Sequence, residues 1–149
     1  MRLVFNTGLF FYTNTEKEDM IVDIFNEALI DRINNNTYIF INIDNAIMND
    51  EHYYRHTEDV LCTLSNISSV VLIALSKRDG FNKSELIKIL GNSNIKFDYI
   101  NENPEVDSKF PYYDILIDTR TGFNPEYDWS ILRSSMKYDG LDKKLSGVK

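Results

Sequence analysis

The sequence predicts an α/β domain built on a parallel sheet. Two observations carry that prediction. The runs TYIFINI at 37–43 and VVLIAL at 70–75 are apolar or β-branched almost throughout, which suits strands buried on both faces. Segments with apolar residues at helical spacing separate such runs. From Thr37 onward the order is strand, helix, strand, helix, strand, loop, strand, helix. Alternation of this kind implies a Rossmann-like parallel sheet with helices on both faces.

The elements follow in order. Arg2 to Tyr12 reads as two short strands, LVF and LFFY, joined around Asn6-Thr7-Gly8 as a β-hairpin. A helix comes next, with Thr15 as N-cap and Glu18 three residues on in a capping-box pattern. Met20, Ile21, Ile24, Phe25, Ala28 and Leu29 recur on its apolar side, and Asn34-Asn35-Asn36 ends it. Thr37 to Ile43 is a buried strand. Tyr54 to Ser65 places Thr57, Val60, Leu61 and Leu64 on one helix face. Val70 to Leu75 is the most apolar strand and is expected at the centre of the sheet. Lys83 to Leu90 is a short helix, closed by Gly91 as C-cap. Ile95 to Ile100 is a fourth strand, Glu102 to Pro111 a loop, and Tyr113 to Ile117 a strand ending at Asp118. Asp128 to Tyr138 is a closing helix with Trp129, Leu132 and Met136 on one side. The tail with Lys143 and Lys144 is expected to fray. One domain is expected, with an extension at 1–36, a core at 37–138 and a tail at 139–149.

Composition narrows the function. A chain of 149 residues has the size of one domain. At that length roughly 68–70% of the extended surface is buried, enough for a core without staples. The net charge of −7 argues against broad, non-specific adhesion to nucleic acid or to anionic membrane, though not against a local basic patch. Cys62 is the single cysteine, so no intrachain disulfide forms and a reducing compartment is expected. MRLVFNTGLFFYTNT lacks the pattern of a secretory signal, and no apolar run is long enough to span a bilayer. These features predict a cytoplasmic protein, in the host cytoplasm or nucleoid if it is viral. Richness in Asn, Ile, Lys and Tyr suggests a low-GC genome, as in many phages and some bacteria.

In parallel α/β sheets, functional residues gather beyond the C-terminal ends of the strands. After the first core strand come Asn42-Ile43-Asp44-Asn45-Ala46, and after the second Ser76-Lys77-Arg78. Lys109 precedes the last strand, and Asp118-Thr119-Arg120-Thr121 follows it. Carboxylates, a hydroxyl and an amine converging on one pocket mouth suit a phosphate with a magnesium ion.

IFINIDNAI, VVLIALSKR, Lys109 and YYDILIDTRTGF fall in an order and spacing that resembles the haloacid dehalogenase (HAD) superfamily. That family carries a strand ending in Asp-x-Asp-x-Thr, a strand ending in Ser or Thr, a Lys, and a strand ending in Asp-Asp. The resemblance runs from about Thr37 to Met136. IDTRT looks most like the Ile-Asp-Asp-Arg ending of small phosphatases and of the phosphatase half of phage polynucleotide kinase-phosphatase.

The departures from the pattern bear on activity. The family nucleophile is the first Asp of the first motif, and Asn42 stands there. The general acid/base position is kept as Asp44. Ala46 replaces the motif Thr, and Thr119 replaces the second Asp of the final pair. An amide cannot attack phosphorus and is a poor metal ligand. The resemblance therefore implies a degenerate site at Asn42, Asp44, Ser76, Lys109, Asp118 and Thr119, with no catalytic residue and no cofactor. Asp44 and Asp118 are the weak magnesium candidates, for use only if the site is active.

Plainer readings stand beside these. Asp44 and Asp118 also suit turns, Ser76 a strand-end cap, and Arg120 a structural bridge to an acidic neighbour. Lys77 and Arg78 also suit a solvated rim. His52 and His56 lie four apart and would share one helix face as a metal pair, but no further His completes a site. Phe10, Phe11, Tyr12, Tyr112 and Tyr113 suit strand packing better than base stacking.

The expected function is that of a catalytically inactive HAD-like protein acting by binding. The resemblance implies a phage regulator of host transcription that engages host RNA polymerase, DNA or both. A rim of Lys77, Arg78, Lys109 and Arg120 is the candidate surface for a nucleic-acid phosphate or a partner. No membrane partner is expected, and a small-molecule substrate is disfavoured. One alternative is an active magnesium-dependent phosphatase on a nucleotide or nucleic-acid end. Another is a structural or assembly subunit docking through residues 1–36.

Overall fold

The computed structural model describes residues 3–4, 23, 36–49, 52–91, 93–102, 113–121, 123–138, 140 and 143. In chain order the strands are β1 (Leu3–Val4), β2 (Thr37–Asn42), β3 (Met48–Asn49), β4 (His52–Tyr53), β5 (Val70–Leu75), β6 (Tyr99–Ile100) and β7 (Ile115–Ile117). The helices are α1 (Ile43–Ala46), α2 (Thr57–Ser65), α3 (Lys83–Leu90) and α4 (Asp128–Tyr138). The predicted hairpin at 2–12 and helix at 15–29 fall, but for Leu3, Val4 and Asp23, outside the described residues, as does the loop from 103 onward.

The fold is α/β. Strands β7, β2, β5 and β6 lie side by side in that order as a parallel sheet, and the two-residue β1 pairs parallel with β7 at its edge. β2 and β5 run in register from Thr37↔Val70 to Asn42↔Leu75, so both end at the same edge of the sheet. β2 rather than β5 is the middle strand, although both are interior.

Alternation within each strand sorts the core. Ile39, Ile41, Leu72, Ala74, Ile115 and Ile117 face one way, into a cluster with Val60, Leu61 and Leu64 of α2, Leu86 and Leu90 of α3, and Trp129, Leu132 and Met136 of α4. Tyr38, Phe40, Val71 and Ile73 face the other way, with Tyr99, Tyr113 and Leu116 against them. Both crossovers, β2 to β5 and β5 to β6, step in the same direction. A fixed crossover hand then puts α2 and α3 on one face. The second face is buried too, but its cluster holds no residue of α2, α3 or α4. Among the described residues, the helices expected on both faces are therefore seen on one.

Several boundaries differ from those the pattern predicts, each for a local reason. β2 stops at Asn42 because that side chain turns back to cap α1. α2 starts at Thr57, three residues late, because His56 is left-handed at φ 69° and breaks the helical path. The strands predicted at 95–100 and 113–117 shorten to Tyr99–Ile100 and Ile115–Ile117. In both, an aspartate side chain takes the neighbouring strand's N–H at the point of entry. Asp98 Oδ2 accepts from Leu72 N–H at 2.8 Å, and Asp114 Oδ2 accepts from Tyr38 N–H at 2.8 Å. Ile95 is buried in the core without being in a strand. α3 holds its predicted limits, with Asn82 accepting from Glu85 N–H and Gly91 at φ 60° closing it.

α1 and the β3–β4 hairpin were not legible in the periodicity. They fold the chain back directly after β2. Trp129, wholly buried, anchors α1 to α4: its indole N–H donates to Ala46 O at 2.7 Å, and its ring meets Phe123 edge-on with centroids 4.9 Å apart, while the Tyr53 hydroxyl of β4 donates to Ile89 O of α3 at 2.9 Å. Among the described residues no helix is long and apolar enough to cross a membrane.

Candidate functional site

From Thr37 onward the chain steps from β2 to β5 to β6 in one direction, and β7 lies on the other side of β2. The strand order reverses between β2 and β7. In open α/β sheets a crevice beyond that reversal is where ligands bind. The C-terminal ends of β2 and β7 carry Asn42 and Asp118 there, and β5 adds Ser76 beside them.

Asn42 is 5% exposed and bonded at both ends of its amide. Its Oδ1 accepts from Asp44 N–H at 2.9 Å, and its Nδ2 donates to Asp118 Oδ2 at 3.0 Å. A backbone N–H demands the oxygen and a carboxylate demands the NH₂, so the two partners fix the orientation of the amide. Asn45, one helical turn on, repeats the arrangement: Nδ2 donates to Asp118 Oδ1 at 3.0 Å, and Oδ1 accepts from Thr119 N–H at 3.3 Å.

Asp118 is the hub, at 2% exposure. Besides the two amides it accepts from Arg120 N–H at 2.9 Å and from the Arg120 guanidinium, whose shortest contact is 2.6 Å. Burial pushes its carboxyl up. The opposing bonds from the Arg120 side chain and backbone, then Asn42 and Asn45, outweigh it and hold the group well below the usual carboxylate range. The backbone bond from Arg120 is an Asx turn, so the plain structural reading of Asp118 and the bridging reading of Arg120 both apply.

Asp44 forms a second hub nearer the surface. It accepts from Ser76 Oγ–H at 2.9 Å and from Lys77 N–H at 3.0 Å, and it pairs with Arg78 Nε at 3.0 Å. Asn101, left-handed at φ 54° just past β6, extends the edge by accepting from Ser76 N–H at 2.9 Å. A cleft of about 240 Å³ opens between Asn42, Leu75, Ser76, Lys77, Asn101 and Arg120.

The structure thus brings Asn42, Asp44, Ser76, Asp118, Thr119 and Arg120 to one edge, with Lys77 and Arg78 on its rim. Lys109 lies outside the described residues. Arg78 and Arg120 pair with Asp44 and Asp118 while their side chains stay 57% and 59% exposed, so both remain on the rim beside the exposed Lys77. His52 and His56 do not share a helix face, because one lies in β4 and the other in the turn before α2. Tyr113 packs against Phe40, with centroids 5.8 Å apart, as strand packing predicts. Asn45 and Asn101 were missed. In a chain this rich in asparagine neither stands out, and only the spacing of Asn45 from Asn42, one helical turn, hinted at its role.

The donor set does not fit magnesium, the ion the family resemblance implies. The ion needs several oxygen ligands. Here Asn42 points an NH₂ at the shared carboxylate, the residue after Asp118 is a threonine that brings no carboxylate, and guanidinium N–H groups engage both Asp118 oxygens. What the edge offers is hydrogen-bond donors and two matched charge pairs.

Comparison with family models, with curated proteins and with solved structures returns no match to this chain.

Proposed function

We propose that this chain is a catalytically inactive member of the HAD type with a Rossmann-like core, and that it works by binding a macromolecule. The observation that carries the reading is Asn42. It holds the place of a nucleophile but is spent on fixing the backbone of α1 and the carboxylate of Asp118. A frame this consistent, with caps, register and core agreeing, indicates a retained role other than phosphoryl transfer.

The partner is a host transcription component, RNA polymerase or DNA or both. This is the role of the phage protein Alc, an inactive HAD-type terminator of host transcription that the chain resembles in size and in its first motif. The net charge of −7 favours a basic protein surface, and the exposed Lys77 beside the cleft offers a contact for a backbone phosphate.

Two experiments test the reading. Phosphatase activity with magnesium is measured for the wild type and for Asn42→Asp combined with Thr119→Asp. A silent wild type and a partly revived double variant are expected. Clear wild-type turnover that Asp44→Ala abolishes would overturn the inactive assignment in favour of a phosphatase. Affinity capture from phage-infected or expressing cells should recover polymerase or nucleic acid. Recovery of neither removes the transcription role.

A further inference from the structure

Each carboxylate at this edge is matched by one arginine. Asp44 pairs with Arg78 at 3.0 Å, and Asp118 with Arg120 at 2.6 Å. The pairings are not equivalent. Asp44 retains 27% side-chain exposure, whereas Asp118 retains 2%, so the second charge depends far more on its counter-ion. Arg120 also contacts both oxygens: Nε lies 3.1 Å from Oδ1 and 3.2 Å from Oδ2. A guanidinium so placed covers the positions from which a carboxylate would ligate a cation.

We propose that Arg120 is the resident counter-cation of this site, a guanidinium that takes the place of a divalent ion on Asp118 and closes the site to metal. The proposal rests on the reading of the edge as a degenerate HAD site. Asn42 and Thr119 lower the negative charge until one monovalent cation balances Asp118. Arg120 supplies that cation from within the chain, two residues away. The binding edge is then assembled at any magnesium concentration, as a module that works by surface rather than by chemistry requires.

Manganese binding tests this, followed by loss of the free Mn²⁺ signal in electron paramagnetic resonance. Three proteins are compared: the wild type, Asn42→Asp/Thr119→Asp, and that pair with Arg120→Gln added. Glutamine keeps a hydrogen-bond donor near Asp118 and removes the charge. The wild type should not bind. The triple variant should bind at least about tenfold more tightly than the double, a difference of about 1.4 kcal/mol. Equal affinity of double and triple overturns the role of Arg120 and leaves the HAD register standing. Binding by neither overturns the register and the proposal with it. A wild type that binds as well as the triple variant shows that Arg120 excludes nothing. The Mn²⁺-induced rise in Tm reads the same comparison for a variant that is only marginally folded.

Discussion

Asp118 shows how one residue's environment becomes a property of the whole protein. Its carboxyl is held well below the usual range, so the folded state resists its protonation. A group depressed in this way contributes stability above its unfolded pKa of about 4, and the contribution is lost as pH falls through the folded value. Acid titration of stability should therefore fall more steeply below about pH 4 for the wild type than for Asp118→Asn. Identical acid limbs would mean that the Arg120 and amide contacts add nothing. Asn42→Asp tests the opposite sign. It sets a second carboxylate where an amide now donates to Asp118 at 3.0 Å. The variant should be less stable than the wild type at neutral pH, and the deficit should narrow on acidification as the pair takes up a proton.

At the scale of elements, one device recurs. The residue entering β6 and the residue entering β7 are both aspartates, and each carboxylate accepts the N–H of the adjacent strand, Leu72 for Asp98 and Tyr38 for Asp114. The backbone bonds are reciprocal, since Asp98 N–H donates to Leu72 O and Asp114 N–H to Tyr38 O. The side chain prolongs a short strand by one hydrogen bond at its start. Asp114 is wholly buried, so Asp114→Ala would leave Tyr38 N–H without its acceptor at a cost of about 1–3 kcal/mol. Asp114→Asn, which keeps an oxygen there, should recover most of that loss. Urea denaturation of the pair measures it, and equal losses would show that charge rather than the oxygen matters.

At the scale of the molecule, Trp129 couples the site to the core. It is the only tryptophan, and its bond to Ala46 O ties α4 to the helical turn carrying Asp44 and Asn45. Trp129→Phe removes the donor from a buried carbonyl and opens space, and should cost about 1–3 kcal/mol. Because the indole sits where the site and core join, its fluorescence and the far-ultraviolet circular dichroism of the wild type should trace one unfolding transition in denaturant. Two separated transitions would show that the site edge melts independently of the sheet.

The sequence by itself determined the class of fold and the placement of the main elements. Apolar runs as uniform as 70–75 suit strands covered on both faces, and Gly91 marks the end of α3. It also determined the ends of β5, β6 and β7 at Leu75, Ile100 and Ile117, whereas β2 stops one residue before its pattern does. The tertiary structure alone decided what the residues at the strand ends do. Whether Asn42 only caps a helix or also holds the carboxylate of Asp118 depends on strands brought side by side from 76 positions apart. The one-turn α1 and the β3–β4 hairpin were hidden for the same reason. Elements that short bury too few residues to leave a period, and their stability comes from neighbours such as Trp129, 83 residues away along the chain from Ala46.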